Sequence, residues 1–123
     1  MRLLINSVQL IGNLAEPPEL RLTSDGTYVA NMKLRSFGNA GGLGTSNQQY
    51  FHLVAWGKLA VQMEQRFCKG SRILVRGELR NRLQKREHVH FYRTEIHLHE
   101  FLALEKGANE PLAEANFHAV ELA

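Results

Sequence analysis

Apolar and polar residues alternate along most of this chain with a period of two, the period of a strand half buried against a core. In "SVQLIGNLAE" (7–16) Val8, Leu10, Gly12 and Leu14 alternate with Gln9, Ile11 and Asn13, which predicts a first strand. Gly12 within it marks a bulge or a close backbone approach. Pro17 and Pro18 end the pattern, because proline brings no N–H to a ladder. "LRLTSDGTYVANMKLRS" (20–36) then reads as strand, turn, strand. Ser24-Asp25-Gly26 supplies the turn. Tyr28, Ala30, Met32 and Leu34 form an apolar face, with Asn31, Lys33 and Arg35 opposite.

Residues 37–49 hold four glycines and no periodicity, which predicts a connecting loop. It is no phosphate-cradling P-loop, since it lacks the Gly-Lys-Ser/Thr ending and no helix follows it. "NQQYFHLVAWGK" (47–58) reads as a strand with large groups on both faces: Phe51, Leu53 and Ala55 on one, Tyr50, His52, Val54 and Trp56 on the other. One face belongs to a core, and the second needs another use. "GKLAVQMEQRFCKG" (57–70) predicts a helix, with Leu59, Met63 and Phe67 four apart, Ala60 beside them, and Lys69-Gly70 at its end. "SRILVRGELRNRL" (71–83) predicts a strand with Ile73, Val75, Leu79 and Leu83 on one face. Arg72, Arg76, Arg80 and Arg82 lie on the other, with Leu74 and Glu78 among them. "QKRE" (84–87) predicts a turn and 88–105 a long returning strand. From Gly107, with Pro111 inside it, the pattern fades into a loose tail. The expected division is therefore a domain over 1–106 and a short tail over 107–123.

With the first hairpin counted as one curved meander, the order is three strands, a helix, then two strands. That is an all-β class and the order of an OB-fold, a five-stranded Greek-key β-barrel with one short α-helix between strands 3 and 4 of the barrel. Other small barrels share parts of this order.

Composition narrows the picture. A chain of 123 residues, 44% hydrophobic, suits one domain with one modest core. No apolar run is long enough to cross a bilayer, and Asn6, Ser7 and Gln9 interrupt the apolar start, which argues against a signal peptide. Cys68 stands alone, which excludes an intramolecular disulfide and a CxxC zinc site and fits a reducing compartment. The net charge of +3 is mild, but its distribution is not. Residues 66–93 hold nine Lys/Arg against Glu78 and Glu87, whereas 94–123 hold Lys106 against six Glu. A basic block of this kind implies either a polyanionic partner or a solvated basic strand face.

Catalysis finds little support. There is no G-x-S-x-G, and the acids are scattered rather than clustered for a divalent metal. His88-x-His90 and His97-x-His99 each pair two imidazoles on one strand face, a spacing a transition metal can use. Nothing evident completes such a shell, so neither a metal nor a cofactor is expected. Arg72, Arg76, Arg80 and Arg82, extended by Lys85 and Arg86, form a stripe fit to track phosphates. Sequence-tolerant binding of single strands combines such charge with aromatic platforms. Tyr50 and Trp56 suit that role, but pattern alone leaves them equally suited to an apolar layer under a loop or subunit.

Three stretches carry a family resemblance: "INSVQLIGNLAEPPELRLTSDGTYVANMKL" (5–34), "YFHLVAWGKLAV" (50–61) and "CKGSRILVRGELRNR" (68–82), with "RTEI" (93–96) continuing it. In combination the chain resembles the bacterial single-stranded DNA-binding proteins over roughly residues 1–105. The resemblance implies an OB-fold that binds single-stranded DNA without sequence preference, in the bacterial cytoplasm, as a homo-oligomer, usually a tetramer, with a dimer as the alternative. It implies base stacking by Tyr50 and Trp56, with Phe37 and Tyr92 as further stacking candidates. For phosphate contacts it points to Lys58, Lys69, Arg80, Arg82 and His52, beside Lys33, Arg35, Arg72, Arg76, Lys85 and Arg86 from the basic pattern. Many relatives carry an aromatic in the turn where this chain has Gln84, which leaves Phe91 or Tyr92 to compensate. The end, "AVELA", differs from the family's acidic, partner-recruiting tip, which argues against recruitment by that route. Kindred alternatives are a dimeric primosomal OB-fold accessory, an RNA-binding OB-fold and a protein–protein adaptor.

Overall fold

A computed structural model describes residues 3–37 and 48–105. Of the expected glycine-rich loop over 37–49 only Phe37, Gln48 and Gln49 are described, and all three belong to strands, while the expected C-terminal tail lies outside the described residues. Six strands and one helix follow in the order β1 (Val8–Leu14), β2 (Glu19–Leu22), β3 (Tyr28–Phe37), β4 (Gln48–Trp56), α1 (Lys58–Arg66), β5 (Arg72–Arg86) and β6 (Val89–Glu105).

Five of the strands close into a ring. β5 lies between β1 and β6, β4 between β6 and β3, and β3 returns to β1 through Asn13↔Arg35 and Leu14↔Leu34. All pairs are antiparallel except β4–β6, where Leu53 lies beside Ile96 and Val54 beside His97. β2 stands outside the ring, on the half of β3 that β1 does not reach (Leu20↔Ala30, Leu22↔Tyr28). This is the OB connectivity, with α1 between the third and fourth ring strands.

The strands alternate as their sequences require. Ala30, Met32 and Leu34 of β3 and Leu53 and Ala55 of β4 are buried, with Phe51 packed against them. Tyr28, which shares the parity of Ala30, escapes the core at the barrel rim and is largely exposed. Leu59, Ala60 and Met63 plug one end of the barrel from α1. The helix stops at Arg66, earlier than expected. Phe67 is already extended and packs edge-on against Phe101 at 5.2 Å. Cys68, exposed, enters a turn closed by Ser71 N–H on its carbonyl at 3.1 Å, with Gly70 at φ 92°.

Two glycines let backbones meet. A Cβ on Gly12 would collide with the carbonyl of Arg35, where β1 closes on β3, and one on Gly77 would collide with the carbonyl of His97. Gly77 also adjoins a register shift. Arg76 faces Glu100 but Gly77 faces Leu98, so β6 carries an extra residue there. Beyond Leu79↔Ile96, the last rung whose β6 residue also pairs with β4, β5 and β6 run on as a long two-stranded arm.

The arm adds to one expectation and corrects another. Leu79 and Leu83 share parity with buried Ile73 and Val75, yet they are 46% and 47% exposed, because β1 accompanies β5 only as far as Gly77 and, among the described residues, no other strand takes its place. The turn expected at 84–87 is shorter. Pairing runs to Arg86↔Val89, and Glu87, at φ 54°, turns the chain with His88.

Candidate nucleic-acid interface

Directly opposed residues of an antiparallel pair lie on one face. The β3–β4 register therefore sets Asn31 beside Val54, Lys33 beside His52 and Arg35 beside Tyr50 on the outer face of the barrel. The β5–β6 register sets Arg80 beside Glu95 and Arg82 beside Arg93. The β4–β6 pairing brings these two sets together into one surface, bounded by the β2–β3 hairpin on one side and the arm on the other.

Two adjoining clefts run along it. One, of about 410 Å³, is lined by Trp56, Val54, Val29, Thr23, Asn81 and His97, with Arg21, Arg80 and Arg82 around it. The other, of about 390 Å³, is lined by Lys33, His52, Arg93 and the Glu16–Glu19 side of the hairpin. Arg21, Asn31, Arg82 and Glu95 belong to both. At the two ends of β4 the aromatic rings stay open. Trp56 is 41% and Tyr50 53% exposed, while Val54 between them is buried in the floor. Six residues of strand separate the rings by about 20 Å. Lys33 Nζ lies 5.8 Å from the centre of the Tyr50 ring, within cation–π range.

The floor is a hydrogen-bonded chain. His52 Nδ1 accepts from Arg93 Nη2 at 2.6 Å and its Nε2 meets Asn31 Oδ1 at 2.9 Å. A guanidinium only donates, so His52 is neutral and carries its proton on Nε2. Burial, and next the charge of Arg93, hold its pKa below the ordinary value, against the pull of Glu95. Glu95 is almost wholly buried, with Oε1 3.1 Å from His97 Nε2 and Oε2 3.7 Å from Arg82 Nη1. Trp56 Nε1 donates to His97 Nδ1 at 3.3 Å.

Of the residues singled out from sequence, Tyr50, His52, Trp56, Lys33, Arg35, Arg80 and Arg82 come together on or beside this surface. The even-numbered arginine stripe of β5 divides. Arg80 and Arg82 reach the cleft, whereas Arg76 lies on the barrel's other flank, bound to Glu100 at 2.6 Å. Arg72 sits exposed four residues before Arg76, opposite Glu105. Lys58 opens α1 just past Trp56, and Lys85 and Arg86 occupy the arm's tip. Lys69 lies apart from both clefts, in the turn that Gly70 ties to Leu14. Phe37 ends β3 opposite Gln48. Tyr92 pairs with Leu83, on the face of the arm turned away from Arg82 and Arg93, whereas Phe91, opposite Gln84, shares their face.

The sequence reading missed Arg21, Asn81, Arg93, Glu95 and His97 as parts of the site. Arg93, Glu95 and His97 do alternate with Thr94, Ile96 and Leu98, so a polar face was there to be read. Among the described residues, no three His, Cys, Asp or Glu side chains are grouped so as to hold a metal ion, and no helix is long and apolar enough to cross a membrane.

Comparison with known proteins adds to this geometry. Single-stranded DNA-binding protein 1 of Streptococcus pyogenes serotype M6 is 35% identical over 114 residues, covering 90% of this chain and 86% of the relative. Single-stranded DNA-binding protein B of Bacillus subtilis is 36% identical over 97 residues, 76% of this chain and 84% of the relative. Single-stranded DNA-binding protein 2 of Chlorobaculum tepidum is 39% identical over 85 residues, 66% and 57% of the two chains. Residues 5–104, the whole barrel and arm, match the Single-strand binding protein family, and the chain belongs to that family.

Proposed function

We propose that this protein binds single-stranded DNA without sequence preference, as a non-enzymatic member of its family serving DNA replication, recombination or repair. The observation that carries the reading is the outer face of β4. It presents two exposed rings, Tyr50 and Trp56, at the ends of a floor edged by Lys33, Arg21, Arg80, Arg82 and Arg93. Bases stack on the rings while the cations follow the phosphates, and stacking needs no base-edge code. Lys58 and the arm's Lys85 and Arg86 extend the basic surface at either end. Phe91 is the arm's stacking residue in this reading.

Assembly into a homo-oligomer, a tetramer by the family resemblance, is part of the proposal. From Val8 to Leu10 the second edge of β1 pairs with no strand among the described residues, and Leu3, Leu4, Ile5 and Ile11 are exposed beside it. An open edge with apolar neighbours favours pairing with another copy. Mass in solution separates a tetramer from a dimer.

Trp56→Ala tests the binding surface. Loss of one stacked base, about 1–3 kcal/mol, weakens oligo(dT) binding roughly 5- to 150-fold while the thermal melt stays close to wild type. Undiminished binding, or an unfolded variant, rejects Trp56 as a platform. A matched RNA oligomer in competition tells whether the sugar matters.

A further inference from the structure

The cleft under Trp56 contains a group of the wrong sign for its ligand. Glu95 is 3% exposed in the floor of a surface that receives phosphates. Its hydrogen bonds give it a use. His97 lies beside Val54 in the parallel β4–β6 pair and so shares a face with Trp56, two residues further along β4. The indole N–H donates to His97 Nδ1 at 3.3 Å, and His97 Nε2 donates to Glu95 Oε1 at 3.1 Å. An indole can only donate and an ionised carboxylate can only accept, so the two bonds together require a neutral imidazole protonated on Nε2. The two rings stand 6.4 Å apart, tilted by 31°, and Trp56 keeps its exposed surface.

We propose that His97, oriented by Glu95, is a positioning residue for base stacking: it holds the Trp56 indole in the orientation in which a base stacks on it. The inference rests on Trp56 being a stacking platform. A free tryptophan must give up side-chain freedom when a base arrives, and a platform fixed beforehand avoids that loss. Both ring nitrogens of His97 are occupied within the protein, which leaves neither to bond a phosphate. Arg82, 3.7 Å from the other carboxylate oxygen, offsets the buried charge and leaves Oε1 to His97.

The test uses His97→Val and His97→Gln. Valine suits a strand but neither accepts nor donates, whereas glutamine's amide can accept from the indole and donate to Glu95. Binding is read by the anisotropy of a labelled oligo(dT) for every variant. H97V is expected to bind roughly two- to twelvefold more weakly, with an unchanged salt slope, because no phosphate contact is lost. H97Q restores most of the affinity. In the free protein, the emission anisotropy of Trp56 falls in H97V and recovers in H97Q. In a Trp56→Phe background, which keeps an aromatic ring without an N–H, H97V costs nothing further. The proposal is overturned if H97V binds like wild type, or if it weakens binding equally in the W56F background, which makes His97 a direct DNA contact. If W56A weakens binding and H97V does not, only the positioning role falls; if neither does, the stacking reading falls with it.

Discussion

Gly77 sits at the root of the arm, where β1 stops pairing with β5, and Gly77→Ala perturbs that junction by one methyl group. An added Cβ would collide with the carbonyl oxygen of His97 and lie 2.9 Å from His97 C and 3.0 Å from Leu98 Cα. All three are backbone atoms of the neighbouring strand, so no side chain can swing aside. Relief requires β5 and β6 to separate at the register shift, straining the ladder around Gly77↔Leu98. Overpacking of this kind costs about 1–3 kcal/mol, and each weakened backbone hydrogen bond adds about 0.5–1.5 kcal/mol. Alanine returns only about 0.4–1 kcal/mol by restricting the unfolded chain. The net expectation is a loss of about 2 kcal/mol, a Tm lower by about 8–12 °C. Urea unfolding at fixed protein concentration, with an unchanged m-value, measures it. Because Arg80 and Arg82 lie just beyond the junction, oligo(dT) affinity falls too. A variant as stable as wild type would show that the strands separate freely here, and that the glycine does not set the arm's departure. Gly26→Ala is the contrast: φ is 87° with nothing within 4 Å, so the cost, about 1 kcal/mol, is conformational alone and DNA binding is untouched.

Arg82→Ala is expected to weaken oligomer binding whatever the base composition and to reduce the magnitude of the log–log salt slope by about 0.7, one phosphate on a single strand; an unchanged slope would remove Arg82 from the phosphate contacts. Phe91→Ala weakens binding to long oligomers by about 1–3 kcal/mol while Tyr92→Ala leaves it unchanged, and the reverse result would mean that the arm twists its other face toward DNA. Stability carries a pH signature from His52. Its folded pKa lies below the ordinary 6.5, through burial first and Arg93 second, so just below pH 6.5 the unfolded chain binds the extra proton. Stability contributed by the neutral ring is complete above that pH and declines as the pH falls toward the folded pKa. Urea melts from pH 7.5 to 5 therefore lose stability faster in wild type than in His52→Gln, and parallel curves would refute the partly buried, neutral assignment.

The sequence by itself determined what depends on neighbours within one strand. Period-two alternation assigned Leu53 and Ala55 to the core and Tyr50, His52 and Trp56 to the other face of β4, and pleating alone enforces that division. Asp25-Gly26 set the β2–β3 turn, and the strand–helix order, with the family resemblance, set the barrel. Tertiary structure decided where each strand leaves the barrel and which strands lie beside one another. Leu79 and Leu83 have the parity of core residues, but parity carries no information about where the barrel ends. Arg76 and Arg80 look equivalent four residues apart, yet a coiled strand and one extra residue in β6 bind the first to Glu100 and bring the second to the cleft. The contact of Trp56 with His97 spans 41 residues and depends on the parallel β4–β6 pairing, which no pattern within either strand announces. A side chain's face is fixed by its own backbone, whereas its partners are fixed by the closure of the sheet, and the candidate site is built mostly from partners.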